Sequence, residues 1–373
     1  MNVYVDSTRL QVPTWRGQQL YIYKILMGMA VNETSHEFHL HFDGRERLNR
    51  AEPLLKRPRV TPHFASGKIM RHISLPYNML ATGSKVFYRM ARETKPLRTP
   101  MLGRTVALVL DNGMHMCPDL YGNRNPKAQL AESRRGVHNF DHIITISNTV
   151  KQELLHLFDL PDETITVAPP ALYHNAAVVE VAAPPGLLPT GRPFILAVNP
   201  GSMNKNSQQT LGGFEEYIQN YRDEDTVLIL AGDLKHLDSL IRSTIAENPL
   251  LRNRVICLGY VTDSEMRYLY KNAQLSLFMS RYEGFGMPLL ESMAASLPQI
   301  VSNIPVFQEV CGDGPLYVDL DDNAALGHAI HRCNTDSSLR NRMIASGLER
   351  VDKYSWETSA VTTLGALVSV AER

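Results

Sequence analysis

Short apolar runs recur along the chain, separated by stretches of mixed polarity. In the second half the runs are Phe194–Val198, Thr226–Leu230, Arg254–Leu258, Gln274–Phe278 and Gln299–Val301. They are continuous rather than alternating, so both faces of each strand should be buried, as in a parallel sheet. Helix-like stretches lie between them, which gives βαβ units. The first half repeats the theme less clearly at Val3–Val5, Phe38–Phe42, Val106–Leu110, His142–Ile146 and Ile165–Ala168. Between the halves, residues 182–193 hold four prolines and two glycines, the mark of a linker. The pattern therefore predicts two α/β domains, 1–181 and 194–351, joined by 182–193, with a last segment at 352–373. Ligands of such sheets bind at the carboxyl ends of the strands, and a cleft between two domains is the default site.

Composition narrows the class. The chain has 373 residues, 44% hydrophobic and 20% charged, which is ordinary for a globular protein and excludes disorder. Lys+Arg and Asp+Glu balance at 38 each, so no global field favours nucleic acid. No apolar run approaches a membrane span. The N-terminus begins as a strand rather than a signal peptide. Cys117, Cys257, Cys311 and Cys333 are scattered, which fits a reducing cytoplasm and gives no zinc pattern. No GxGxxG follows a strand, and neither GxSxG nor a P-loop occurs.

One segment departs from the balance. Residues 56–104 carry eleven Lys/Arg against Glu93 alone, a net charge of +10. Ile69, Met70, Ile73, Met79, Leu80, Val86, Phe87 and Met90 interleave at partly helical spacing, broken at Pro76 and Gly83. Two readings stand side by side. One is a basic, apolar-faced surface for an anionic membrane or anionic substrate. The other is a solvated face over an ordinary core stripe. The expected location is cytoplasmic, with the inner membrane face as the alternative under the first reading.

The segment that carries chemistry is Ser280–Ala295, which follows the run Gln274–Phe278. Glu283 sits on the loop leaving that strand. Gly284 and Gly286 allow a tight turn and close backbone approach to a ligand. Pro288 suits the first turn of a helix that then carries Glu291. A helix N-terminus beside glycines offers donors and a positive dipole end to an anion. The two carboxylates would repel phosphate and suit polyol hydroxyls instead. Two glutamates eight apart are ordinarily surface charges; the intervening Gly-Phe-Gly-x-Pro in a strand–loop–helix context sets these apart. His36-Glu-Phe-His-Leu-His41 could place His39 and His41 on one strand face, but no third metal ligand is apparent, so no metal is expected. In Asp319–Asp322, Asp322 reads as a helix cap rather than part of a metal-binding DxD.

This segment closely resembles the EX7E motif of retaining glycosyltransferases of the GT-B fold, in particular family 4. Asn204-Lys-Asn206, Leu258-Gly-Tyr-Val-Thr-Asp263, Asn303–Val310 with Gly312-Asp313, and Tyr354-Ser-Trp-Glu357 resemble further stretches of that family. In the first half the likeness is weaker, through Asp141–Asn148 and Val167–Pro170. The resemblance implies two Rossmann-like domains facing each other across a cleft: an N-terminal acceptor domain, a C-terminal nucleotide-sugar domain, and a last helix crossing back to the first. It implies that Glu283 bonds donor-sugar hydroxyls. Backbone amides of Gly284, Phe285, Gly286 and Met287 would hold the sugar and distal phosphate. Glu291 would take the ribose hydroxyls, Lys205 the diphosphate, and Gly259, Tyr260 and Val261 would border the base. Gly17 would approach the phosphates from the first loop. The implied reaction is metal-independent, cofactor-free transfer of a sugar with its anomeric configuration retained, from a nucleotide sugar to a glycan or lipid-diphosphate-linked acceptor in cell-surface polysaccharide assembly. GDP-mannose is the favoured donor.

The sequence departs from the family at three points. The Arg expected just before Lys205 is missing from Asn199–Asn204, leaving Arg281 and Arg16 as candidates for a second cation. The usual His-Asp pair is replaced by Leu110-Asp111, with His115 as a stand-in catalytic group. The first loop has Gly17 alone. Alternatives are therefore a non-catalytic sugar-nucleotide-binding subunit and a GT-B sugar-nucleotide epimerase.

Overall fold

The computed structural model describes residues 1–12, 15, 17–32, 35–44, 48–65, 68–90, 103–122, 125–173, 191–232 and 239–373. The chain divides into two compact units, one of residues 1–170 with 354–373 and one of residues 171–353. The expected linker 182–193 lies outside the described residues except for Gly191–Pro193, and Arg16 lies outside them altogether.

The first unit is built on seven strands: β1 (Asn2–Asp6), β2 (Glu37–Phe42), β3 (Val60–Phe64), β4 (Val86–Arg89), β5 (Arg104–Val109), β6 (His142–Thr145) and β7 (Ile165–Val167). Their order is β3-β2-β1-β4-β5-β6-β7, all parallel. The interior strand β1 puts Val3, Tyr4 and Val5 out of contact with water, as its continuous apolar run requires.

One of these strands, β4, differs from the sequence expectation, and another, β3, is not among the expected runs. Val86, Phe87 and Met90 are spaced as on a helix, yet Val86–Arg89 is the strand β4 beside β1, and Phe87 and Met90 are buried. A four-residue strand shows too few alternations for its period to be read. These two residues are core, so they cannot be the membrane-inserting groups of the basic segment. The run Val60–Phe64 contains Pro62, which marks it as an edge strand, and β3 is the sheet edge.

The C-terminal helix Trp356–Glu372 packs on the helix Gly17–Asn32 of this unit. The packing is close because Gly28 has no side chain: a Cβ there would stand 2.6 Å from Ala360 Cβ. Tyr21 meets Trp356 edge to face at 5.7 Å, and Ser359 donates to the Pro169 carbonyl at 2.5 Å.

The second unit holds six parallel strands: β8 (Phe194–Val198), β9 (Val227–Ala231), β10 (Val255–Gly259), β11 (Leu275–Phe278), β12 (Gln299–Ser302) and β13 (Leu316–Val318). The order is β10-β9-β8-β11-β12-β13. Strand order reverses between β8 and β11, and such a switch point opens a crevice at the carboxyl ends. The loops that leave these two strands carry Asn204–Asn206 and Ser280–Gly286.

Candidate active site

The loop after β11 is shaped by its glycines and by its fit to the following helix, Met287–Ala294. Gly286 is the helix N-cap and has φ +97°. A Cβ there would lie 2.8 Å from Leu289 Cδ1 and 3.1 Å from Phe307 Cε1. Both conformation and space thus demand glycine. Pro288 occupies the first turn, where its missing N–H costs nothing. Phe285 and Leu289 are buried and fix the turn to the core. The positive end of the helix is held at the crevice.

Glu283 is the junction between the two loops. Its Oε1 accepts from Ser280 Oγ at 3.0 Å and from Asn204 Nδ2 at 3.2 Å, and Lys205 Nζ stands 2.6 Å away. Both partners of that ion pair are largely shielded, with side chains 14% and 16% exposed. Asn204 also donates to the Tyr282 carbonyl at 2.9 Å and accepts from the Arg281 amide at 2.7 Å. Ser302, at the end of β12, secures Ser280 through its carbonyl at 2.6 Å. A ligand entering here meets a carboxylate and an ammonium that are already positioned.

Glu291 lies on the same helix, one turn further in. Tyr270 donates its hydroxyl to Glu291 Oε2 at 2.9 Å. Burial pushes the Glu291 carboxyl up, the Tyr270 hydrogen bond and Lys205 pull it down, and Asp263 adds to the rise. Burial and the neighbouring carboxylate raise Tyr270 well above its ordinary value. Burial raises Tyr173 as well, with a further contribution from Glu291. Asp263 opens a helix whose N-cap, Thr262, forms a capping box with Glu265. That cap fixes the preceding loop, where Gly259 has φ +73°. Val261 is buried there, and Tyr260 is 79% exposed.

Arg281 also contacts the Asn204–Asn206 turn. Its guanidinium holds Asp321 through two contacts, 2.5 Å and 3.1 Å, and lies 3.4 Å from Asn206 Oδ1. Asp322 caps the helix Asn323–Thr335 by accepting from the Ala325 amide at 2.8 Å, as its place in the sequence suggests.

The structure therefore brings Lys205, Glu283, Gly284, Phe285, Gly286, Met287, Glu291, Tyr260 and Val261 onto loops and helix ends of one unit. In the other unit, Gly17 is the exposed first residue of its helix. His115, on the short helix Gly113–Met116 of that unit, is half-buried. Its Nε2 is 3.1 Å from Ser133 Oγ and its ring meets Phe158 edge to face at 5.8 Å. Burial lowers its pKa. These contacts pack one side of the half-buried ring between helices of its unit. Sequence reasoning also passed over Tyr270, Asn204 and Asp321. Tyr270 stands outside the quoted motifs, and the other two flank residues that drew the attention.

Residues 180–350 match the family model described as Glycosyl transferases group 1. The O-antigen chain mannosyltransferase B of Escherichia coli is 27% identical over 275 residues, 71% of this chain and 70% of that protein. The O-antigen chain mannosyltransferase RfbU of Salmonella typhimurium is 28% identical over 200 residues, 53% of this chain and 52% of its own. Among solved structures, HepE of Anabaena in complex with UDP and glucose aligns with a TM-score of 0.71 at 13% identity, covering 99% of each chain. The fold is that of GT-B proteins. Together with the matched family model, these likenesses support a glycosyltransferase.

Proposed function

We propose that the chain is a retaining glycosyltransferase that moves a sugar, with mannose from GDP-mannose as the favoured donor, onto a growing cell-surface polysaccharide or its lipid-diphosphate-linked precursor. The observation that carries this reading is the Lys205–Glu283 pair, set at the carboxyl ends of β8 and β11 beside a glycine-capped helix N-terminus. In this reading Glu283 and the backbone from Gly284 to Met287 hold the sugar, Lys205 receives the diphosphate, Glu291 binds the ribose, and Tyr260 and Val261 border the base. The 1–170 unit takes the acceptor, and Gly17 approaches the phosphates. The acceptor hydroxyl attacks the anomeric carbon on the face that the nucleotide leaves. Its proton passes to the departing phosphate oxygen. Fixed cations and the helix dipole stabilise the charge that grows on that oxygen. The two mannosyltransferase relatives support the mannose preference.

Purified chain incubated with a panel of GDP-, UDP-, ADP- and dTDP-sugars tests this. Transfer or hydrolysis of a donor, undiminished by EDTA, is the expected result. Nucleotide binding without turnover would favour the non-catalytic subunit, and interconversion of the sugar the epimerase.

We infer further that the basic segment 56–104 meets anionic lipid. The apolar anchors are Ile73, Tyr77 and Leu80 on the helix Lys68–Ala81, each at least 60% exposed. Co-sedimentation with liposomes should rise with anionic lipid, fall with salt, and weaken in an Ile73→Glu/Leu80→Glu variant. Equal sedimentation with neutral vesicles, or none with either kind, would leave a soluble acceptor. Among the described residues no helix is long and apolar enough to cross a membrane.

A further inference from the structure

The site holds a charge problem. Lys205 is already neutralised by Glu283 at 2.6 Å. A nucleotide sugar carries a negative charge on each of its two phosphates. One ammonium, itself shared with a carboxylate, leaves that charge largely uncompensated at a largely shielded site. The loop before Lys205, Asn199–Asn204, contains no second cation.

A second cation arrives from the neighbouring strand. β8 and β11 are adjacent and parallel, and the loops leaving their carboxyl ends converge on the Asn204–Asn206 turn. Lys205 belongs to that turn. Arg281 is bound to it twice, through its amide to the Asn204 carbonyl at 2.7 Å and through its guanidinium to Asn206 Oδ1 at 3.4 Å. The guanidinium is parked on Asp321, and this pair is the more exposed of the two, with side chains 34% and 60% exposed. Exposed ion pairs contribute little and exchange partners readily. An Arg fork also suits phosphate oxygens better than an ammonium does.

We propose that Arg281 is the second ligand of the donor diphosphate, and that Asp321 holds it in waiting until the diphosphate takes Asp321's place. This deepens the donor-site reading above and rests on it. The exchange moves no bond and no proton: the guanidinium leaves one anion for another. The same logic extends to Lys205, whose carboxylate partner Glu283 can turn to the sugar hydroxyls once a phosphate has taken the ammonium.

Calorimetric titration with GDP, GMP and guanosine, and with UDP, UMP and uridine, tests the assignment in whichever series the wild type binds. Arg281→Ala should weaken the diphosphate roughly 10- to 100-fold, the size of one charge-assisted contact, and leave the nucleoside unchanged. Arg281→Lys should keep part of the affinity. Asp321→Asn removes the competitor, so the diphosphate should bind at least as tightly as to wild type. Three results would overturn the proposal: full diphosphate affinity in Arg281→Ala, an equal loss for nucleoside and diphosphate, or a loss in Asp321→Asn matching that in Arg281→Ala. The last would make the pair merely structural. Wild type that binds none of GDP, UDP, ADP and dTDP would overturn the donor site itself, and this assignment with it.

Discussion

At the scale of single residues, Glu291 and Lys205 carry the most testable chemistry. Burial raises the Glu291 carboxyl above its ordinary 4.5. The stability this contributes is fully present below the ordinary value and is lost as pH rises through the raised one. Ribose hydroxyls donate to the ionised form, so nucleotide binding should favour deprotonation. Affinity should then rise with pH through that window, and binding should release protons in it. Titrations in buffers of different ionisation enthalpy measure both effects. Glu291→Gln should flatten the profile and cost about 1.5–3 kcal/mol of binding. A variant that shares the wild-type profile would remove Glu291 from the ribose role. Lys205→Ala acts on a different step. Charge on the leaving oxygen grows toward the transition state, so turnover should fall by about 10²–10³ in variant protein whose circular dichroism shows it folded. Near-normal turnover would place the phosphates on other cations.

At the scale of elements, the contact between the helices Gly17–Asn32 and Trp356–Glu372 makes a paired prediction. Gly28→Ala places a methyl 2.6 Å from Ala360 Cβ. Overpacking of this kind costs about 1–3 kcal/mol. Gly365, on the second of these helices, has nothing within 4 Å of its would-be Cβ. Gly365→Ala should therefore stabilise by up to about 1 kcal/mol through helix propensity alone. Urea unfolding of the two variants should shift in opposite directions. The same scale shows what the chain discloses in advance. Five of the six strands of the second unit, β8 to β12, are legible because each is a continuous apolar run bounded by helix-forming sequence, whereas β13, three residues long, is not. Glu283–Glu291 is legible because Gly286 and Pro288 have few other reasons to stand between two glutamates. β4 is hidden because Val86, Phe87 and Met90 mimic a helical face over a strand too short to show its own period. The Tyr270–Glu291 and Arg281–Asp321 contacts are hidden for another reason. They join residues 21 and 40 positions apart, and no local pattern encodes a pairing made only by the order of strands.

For the molecule as a whole, histidines lowered by burial gather in the first of the two units. In the first unit His142 lies on β6 and is buried, with Nε2 2.8 Å from Thr166 Oγ1. Burial is the chief cause that lowers it from 6.5 to about 4, with Arg373 and Lys151 adding to the effect. His39 and His63 sit on β2 and β3 with ring nitrogens 3.1 Å apart. Burial lowers both, and for His63 the neighbouring His39 adds to it. Glu37, 3.8 Å from His39, acts in the other direction. His115 is lowered by burial too. A histidine whose folded-state pKa is depressed binds fewer protons folded than unfolded. The stability it contributes is full above its ordinary value and is lost as pH falls toward the folded value. Four such groups in one unit should act together as pH falls below about 6.5, with His142 the group lowered to about 4. The described histidines of the second unit, His328 and His331, lie on an exposed helix face, where Tyr221 stacks on His331 at 3.9 Å. Hydrogen exchange, corrected for the intrinsic effect of pH, should therefore lose protection in β1, β2, β3 and β6 between pH 7 and 5. Over the same range β8, β9 and β11 should keep theirs. His142→Gln should narrow the difference, because the amide side chain needs no proton to be charged or discharged. Equal loss in both sheets would mean that acid acts through carboxylates common to the whole chain and that the buried imidazoles are bystanders.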